Sequence, residues 1–114
     1  AMDSIPLIEI TKRIEKIVQK IKPQIIYTHS EYDLNIDHRL TLQAVKTASR
    51  PQGKQIVKEI YSFFINSSSD WSFGNQSFNP NVYIDISKEI KQKEKFLNFW
   101  IKVITLPPAL HPKQ

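Results

Sequence analysis

Pro23 separates two patterns, and that separation limits the possible fold more than any other feature of the sequence. Before it, Ile10, Ile14, Ile17, Val18 and Ile21 recur at three- and four-residue steps, while Lys12, Glu15, Lys16 and Gln19 turn outward, which predicts an amphipathic helix. Proline lacks the amide hydrogen that would continue the helical ladder and biases its predecessor toward extended geometry, so the helix must end there. The β-branched run Gln24-Ile25-Ile26-Tyr27 follows and predicts a short buried strand. Residues 28–37 are polar and turn-prone, after which Leu40, Ala44, Val45 and Ala48 resume helical spacing up to Arg50-Pro51.

The same alternation continues downstream. Residues 55–65 are rich in Ile, Val, Tyr and Phe and predict a second strand, although their alternation is irregular. Residues 66–81 form a long connection of Ser, Asn, Asp, Gly and Pro with Trp71, Phe73 and Phe78 embedded, a composition that suits a binding or lid loop. Val82-Tyr83-Ile84-Asp85-Ile86 alternates as a strand does, and Ser87 is placed to cap a helix from Lys88 to about Ile101. Helices feeding strands in this order predict an α/β layered fold with a mostly parallel sheet. Its 114 residues suit one domain spanning 1–114, with Ala1 ahead of Met2 read as a leftover of expression.

Composition removes several classes of function. No segment reaches the roughly 18 consecutive apolar residues of a membrane span, and no leader-like segment precedes a cleavage site, so the chain reads as soluble and cytoplasmic. Without cysteine there is neither a disulfide nor a thiolate ligand, and any metal must be held by imidazole and carboxylate. The net charge of +5 could favour a polyanion. The lysines are scattered, however, at Lys12, Lys16, Lys20 and Lys22 and again at Lys88, Lys91, Lys93 and Lys95, as on solvated helix faces, and no nucleic-acid partner is expected.

The segment that carries chemistry is Tyr27-Thr28-His29-Ser30-Glu31-Tyr32-Asp33-Leu34-Asn35-Ile36-Asp37-His38-Arg39. It leaves a strand's carboxyl end and enters a helix, where open α/β sheets place their ligands. It concentrates His29, Asp33, Asn35, Asp37 and His38, the nitrogen and oxygen donors a zinc hydrolase needs in the absence of cysteine. Plainer readings exist for the same residues: Asp37 suits a helix N-cap, and His38 a solvated surface position.

Pro23-x-Ile25-Ile26-Tyr27-Thr28-His29, then Asp33-Leu34-Asn35-Ile36-Asp37-His38-Arg39, then Gln43-Ala44-Val45 and residues 48–51 resemble the second signature block of the PIG-L (LmbE-like) zinc-dependent N-deacetylases. Ser67-Ser68-Ser69-Asp70-Trp71 and Phe78-Asn79-Pro80-Asn81-x-Tyr83-Ile84-Asp85-Ile86-Ser87 resemble later segments of that family in the same order, so the resemblance spans roughly residues 3–98. It implies a Rossmann-like fold, with His38 as a zinc ligand and Asp37 orienting that ligand or shaping the site. Asn35 stands where some members carry a histidine that stabilises the oxyanion, and an asparagine amide can donate the same hydrogen bond. Arg39 and Arg50 are candidates to hold an anionic part of an N-acetylated sugar conjugate, and equally suit surface or ion-pairing roles.

The family's first block, an Ala-His-Pro-Asp-Asp-Glu-like stretch that supplies two more zinc ligands and the general base, does not occur in these 114 residues. His111-Pro112 has no acids after it and instead resembles the family's later His-Pro-Arg-Ser-like segment. Residues 99–114 diverge from the family, being more apolar than its charged counterpart. A catalytic zinc takes three protein ligands and a water, so a single histidine implies that this portion is inactive by itself. The expectation is therefore part of an amide hydrolase that removes acetyl from GlcNAc-type conjugates, completed by a second copy or a missing half-chain. The alternative is a noncatalytic interaction protein that retains only the fold.

Overall fold

The computed structural model describes residues 2–66, 68–69, 73 and 76–104, with 100–104 described as backbone alone. Trp71, the side chain of Trp100 and the His111-Pro112 pair lie outside the described residues. The chain divides into two compact units, Ala1–Asn79 and Pro80–Gln114.

In the first unit a 3-10 turn, Met2–Ser4, leads into α1, Leu7–Ile21. Pro6 stands just before the helix, where its missing N–H costs nothing. The predicted end at Pro23 is observed: Lys22 adopts the left-handed conformation, with φ 52°, and its amide donates to the Val18 carbonyl at 2.7 Å. That bond satisfies one of the carbonyls orphaned by the helix end, but a lysine with a Cβ pays a steric cost that glycine avoids. The apolar stripe is only partly covered. Ile10 and Val18 are buried, while Ile17 and Ile21 are 54% and 67% exposed.

The strand β1, Ile25–His29, extends two residues beyond the expected run and pairs in parallel with β2, Glu59–Phe63. The register sets Ile25 opposite Glu59 and His29 opposite Phe63. Parallel strands need a crossover, and here it is α2, Ile36–Ala48, which gives a β1–α2–β2 unit. The helix α2 packs against both α1 and β1. Leu42, Ala44, Val45 and Ala48 are buried on it and, with Ile10, Val18 and Val57, make the core. Burying a side chain of valine size contributes about 1.5–3 kcal/mol, so this small core is a modest source of stability.

The α/β class and the parallel pairing agree with the sequence pattern; the described sheet has two strands. In the second unit the expected strand at 82–86 is absent, and those residues form no regular structure. Val82, Tyr83 and Ile84 are 51%, 80% and 64% exposed, and an alternating pattern makes a strand only where a neighbour satisfies its backbone groups. The helix α3, Ile90–Ile104, begins later than expected, because Asp85 accepts both the amide and the hydroxyl of Ser87 and so diverts that serine from capping. Among the described residues no helix is long and apolar enough to cross a membrane.

The strained cap gives a direct test. Lys22→Gly should raise stability by about 0.5–1 kcal/mol in urea denaturation, because relief of the left-handed strain outweighs the added freedom of the unfolded chain.

Candidate metal centre

Three side chains from successive elements converge where β1 ends and α2 begins. His29 is the last residue of β1, Asp33 lies in the connecting loop, and His38 occupies the first turn of α2; one donor atom from each lies within 4.8 Å of the others. The two imidazoles stack with centroids 4.0 Å apart and planes inclined by 2°. Phe63, across the strand register, meets the His29 ring edge-on at 5.1 Å.

The loop is held by short side chains that bond to amides two residues on. Ser30 Oγ accepts from the Tyr32 amide at 3.2 Å, Asp33 Oδ1 from the Asn35 amide at 2.8 Å, and Asn35 Oδ1 from the Asp37 amide at 2.9 Å. Ser, Asp and Asn form such turns because their polar atom reaches that amide without distorting the backbone. The last of them is also the N-cap of α2, which assigns to Asn35 the capping that the sequence allowed for Asp37.

Asp33 is the pivot. Its side chain is 0% exposed, and Oδ2 lies 2.9 Å from His38 Nδ1 and accepts from Ser68 Oγ at 2.9 Å, while Oδ1 takes the Asn35 amide. Burial by itself pushes this carboxyl up, but the hydrogen bonds from His38, Asn35 and Ser68 outweigh burial and hold it below the ordinary carboxylate range. An ionised carboxylate only accepts, so the His38 Nδ1 facing it carries a hydrogen, and the ring nitrogen left to offer a lone pair is Nε2. His29 is held below the ordinary imidazole value, chiefly by burial and then by His38, against an opposing pull from Asp33. It is neutral near pH 7, and its Nδ1 is buried without a hydrogen-bond partner among the described residues.

This donor set fits a zinc-type ion in kind: two imidazoles with a carboxylate beside them. Both oxygens of Asp33 are already committed, so toward a metal it would orient the His38 ring, and the nitrogen donors on offer would be His38 Nε2 and His29. The two rings are stacked 4.0 Å apart with planes inclined by 2°, so their in-plane lone pairs run side by side, and sharing one ion would require one ring to turn toward it.

The other expected site residues are placed differently. Asp37 does not bond to His38; its Oδ1 accepts from the Met2 amide at 2.9 Å, and Asp33 holds the imidazole instead. Asn35 uses its carbonyl oxygen as the cap, and its amide nitrogen has no hydrogen-bond partner among the described residues. Arg39 lies beside the cluster, with one terminal nitrogen donating at 2.7 Å to the carbonyls of both Asp33 and Leu34. Arg50 lies at the far end of α2, twelve residues and about 18 Å of helix from His38, near Glu15 at 3.9 Å. His29 and Asp33 stood out in the sequence only as donor types in a polar loop. Ser68 stood out only as part of the later segment that resembles the family, and its link to Asp33 was not legible because it depends on a contact 35 residues away.

Two outcomes follow from this geometry. Asp33→Ala strands three buried or half-buried donors and should cost about 2–4 kcal/mol in chemical denaturation. The folded-state pKa of His29 is depressed, so its contribution to stability is complete above the ordinary value of 6.5 and is lost as pH falls below it. The thermal midpoint should therefore fall between pH 7.5 and 5.5, and fall less in His29→Phe.

Compared with known proteins, the chain matches no family model, no curated protein and no solved structure.

Proposed function

We propose that this chain carries the second metal-ligand block of a zinc-dependent N-deacetylase of the PIG-L (LmbE-like) kind, with His38 as a zinc ligand and an N-acetylated sugar conjugate as the substrate of the completed site. The observation that carries the reading is the Asp33–His38 pair at 2.9 Å, which turns His38 Nε2 away from the carboxylate, beside the His29 imidazole. The position supports it as well: the cluster lies at the carboxyl end of a parallel strand and the amino end of a helix, where α/β folds bind ligands. The Rossmann-like layering belongs to this same proposal, for which the β1–α2–β2 unit is one repeat of the required pattern.

A zinc ion held there would supply polarisation of an amide carbonyl and a more acidic bound water. The residues of this chain would do the holding. His38 and His29 offer nitrogen donors, Asp33 fixes the His38 ring, and the amide of Asn35 is available to donate to an oxyanion. Two imidazoles fall short of the three protein ligands of a catalytic zinc, and Asp33 is too fully bonded to serve as base. The reading therefore includes no turnover by this segment alone, and completion by a chain that brings the remaining ligands.

A second reading, a noncatalytic assembly module, is favoured by one observation. Parallel sheets are normally covered on both faces, yet Ile25, Tyr27, Ile60 and Phe63 are 47%, 58%, 38% and 39% exposed. A second copy or a missing half-chain would cover them.

Zinc titration of the metal-free protein separates the two readings. Wild type should bind zinc at least tenfold more tightly than His38→Ala, with acetate released from N-acetylglucosamine conjugates only when a chain supplying the other ligands is added. Equal, negligible binding by both proteins would remove the hydrolase reading and leave assembly.

A further inference from the structure

We infer that Ser68 is a positioning residue of the metal centre: its hydroxyl locks the Asp33 carboxylate so that His38 is held in the Nδ1–H tautomer with Nε2 as the ligand nitrogen. The inference rests on the metal reading above for its purpose, but not for its geometry.

Ser68 comes from the turn after β2 and reaches the same oxygen, Asp33 Oδ2, that faces His38 Nδ1; both separations are 2.9 Å. One carboxylate oxygen is thus shared by a hydroxyl from the turn after β2 and an imidazole from the first turn of α2. The Asn35 amide fixes the second oxygen, so the carboxylate has no rotational freedom left. Without the Ser68 hydroxyl the carboxylate keeps only its Oδ1 anchor to the Asn35 amide, and it can swing about that anchor so that Oδ2 leaves its alignment with His38 Nδ1.

The turn that presents Ser68 is itself firmly built. The amides of Ser68 and Ser69 both donate to the Ile65 carbonyl, at 3.2 and 2.8 Å, and Ser69 Oγ accepts from the Ile65 amide at 3.0 Å. The Ser68 carbonyl in turn accepts from the Leu34 amide at 3.0 Å, binding this turn to the loop that carries Asp33. Ser68 and Ser69 are 9% and 3% exposed, so neither hydroxyl has water as an easy alternative partner. Ser69 serves its own turn, whereas Ser68 alone sends its hydroxyl to the site. This division of labour between adjacent serines makes the role testable.

The test reads the tautomer of His38 directly, from long-range proton–nitrogen correlations of its ring at pH 7.5 without metal. Wild type should show a single Nδ1–H form, Ser68→Ala a mixture of both tautomers, and Ser68→Cys, close in size but a weaker donor, an intermediate ratio. Ser69→Ala, which disturbs the same turn without touching Asp33, should keep the wild-type form. A Ser68→Ala protein that retains pure Nδ1–H, or a Ser69→Ala protein that scrambles the tautomer equally, overturns the inference. If Ser68→Ala does not fold, the Ser68→Cys ratio decides: an unshifted ratio overturns it. Zinc affinity measured alongside should fall about tenfold in Ser68→Ala. A tautomer shift with no zinc binding by any variant would sustain the positioning role while removing the metal reading.

Discussion

The carboxylate of Asp33 is taken wholly out of water and remains ionised, and the local structure is organised around satisfying it. A buried charge without partners is too costly to keep, so each donor that reaches it is held in place as firmly as it holds the carboxylate. The Asn35 amide fixes the point at which the loop turns into α2, the His38 ring sets the face that the first turn of the helix presents, and the Ser68 hydroxyl draws the turn after β2 onto the end of β1. The crossover helix and both strand ends are thereby referred to one group. The stacking of His29 on His38 follows, because His38 is fixed by Asp33 and His29 by the register that sets it against Phe63.

The rest of the first unit is weakly determined by comparison. Its core is seven apolar side chains, mostly small, at the meeting of α1, α2 and the segment before β2. Half of the α1 stripe and one strand pair remain open, with apolar residues such as Ile17, Ile21 and Tyr27 in contact with solvent. Helix α1 was written with an apolar arc wider than α2 can cover, and a two-stranded parallel sheet has two outer edges. Both features describe a layer built for further layers.

The elements of the first unit were legible in the sequence because their signals are local. Pro23 ended α1 whatever lay beyond it, Ile25-Ile26-Tyr27 extended, and Leu42, Ala44, Val45 and Ala48 gave α2 a buried side. The strand at 82–86 failed for the converse reason: alternation describes what a strand would bury, and no neighbour is present among the described residues to make it one. At the site, the sequence identified the loop and the donor types, and a family resemblance singled out His38. Asp37, adjacent in sequence, was expected to support that histidine.

What the sequence by itself determined is the order of helix, strand, crossover helix and strand, and a cysteine-free polar loop at the one junction where such an order places ligands. Tertiary structure alone decided which acid serves the histidine. Asp37 and Asp33 are both in the loop's reach, but the chain turns twice between Ser30 and Asn35, which sends Asp37 toward the Met2 amide and folds Asp33 back under His38. That outcome depends on Ser68, which reaches Asp33 only after the chain has passed through α2 and β2. No local pattern encodes a hydrogen bond across such a separation, because it exists only once the crossover has brought the two strand ends side by side.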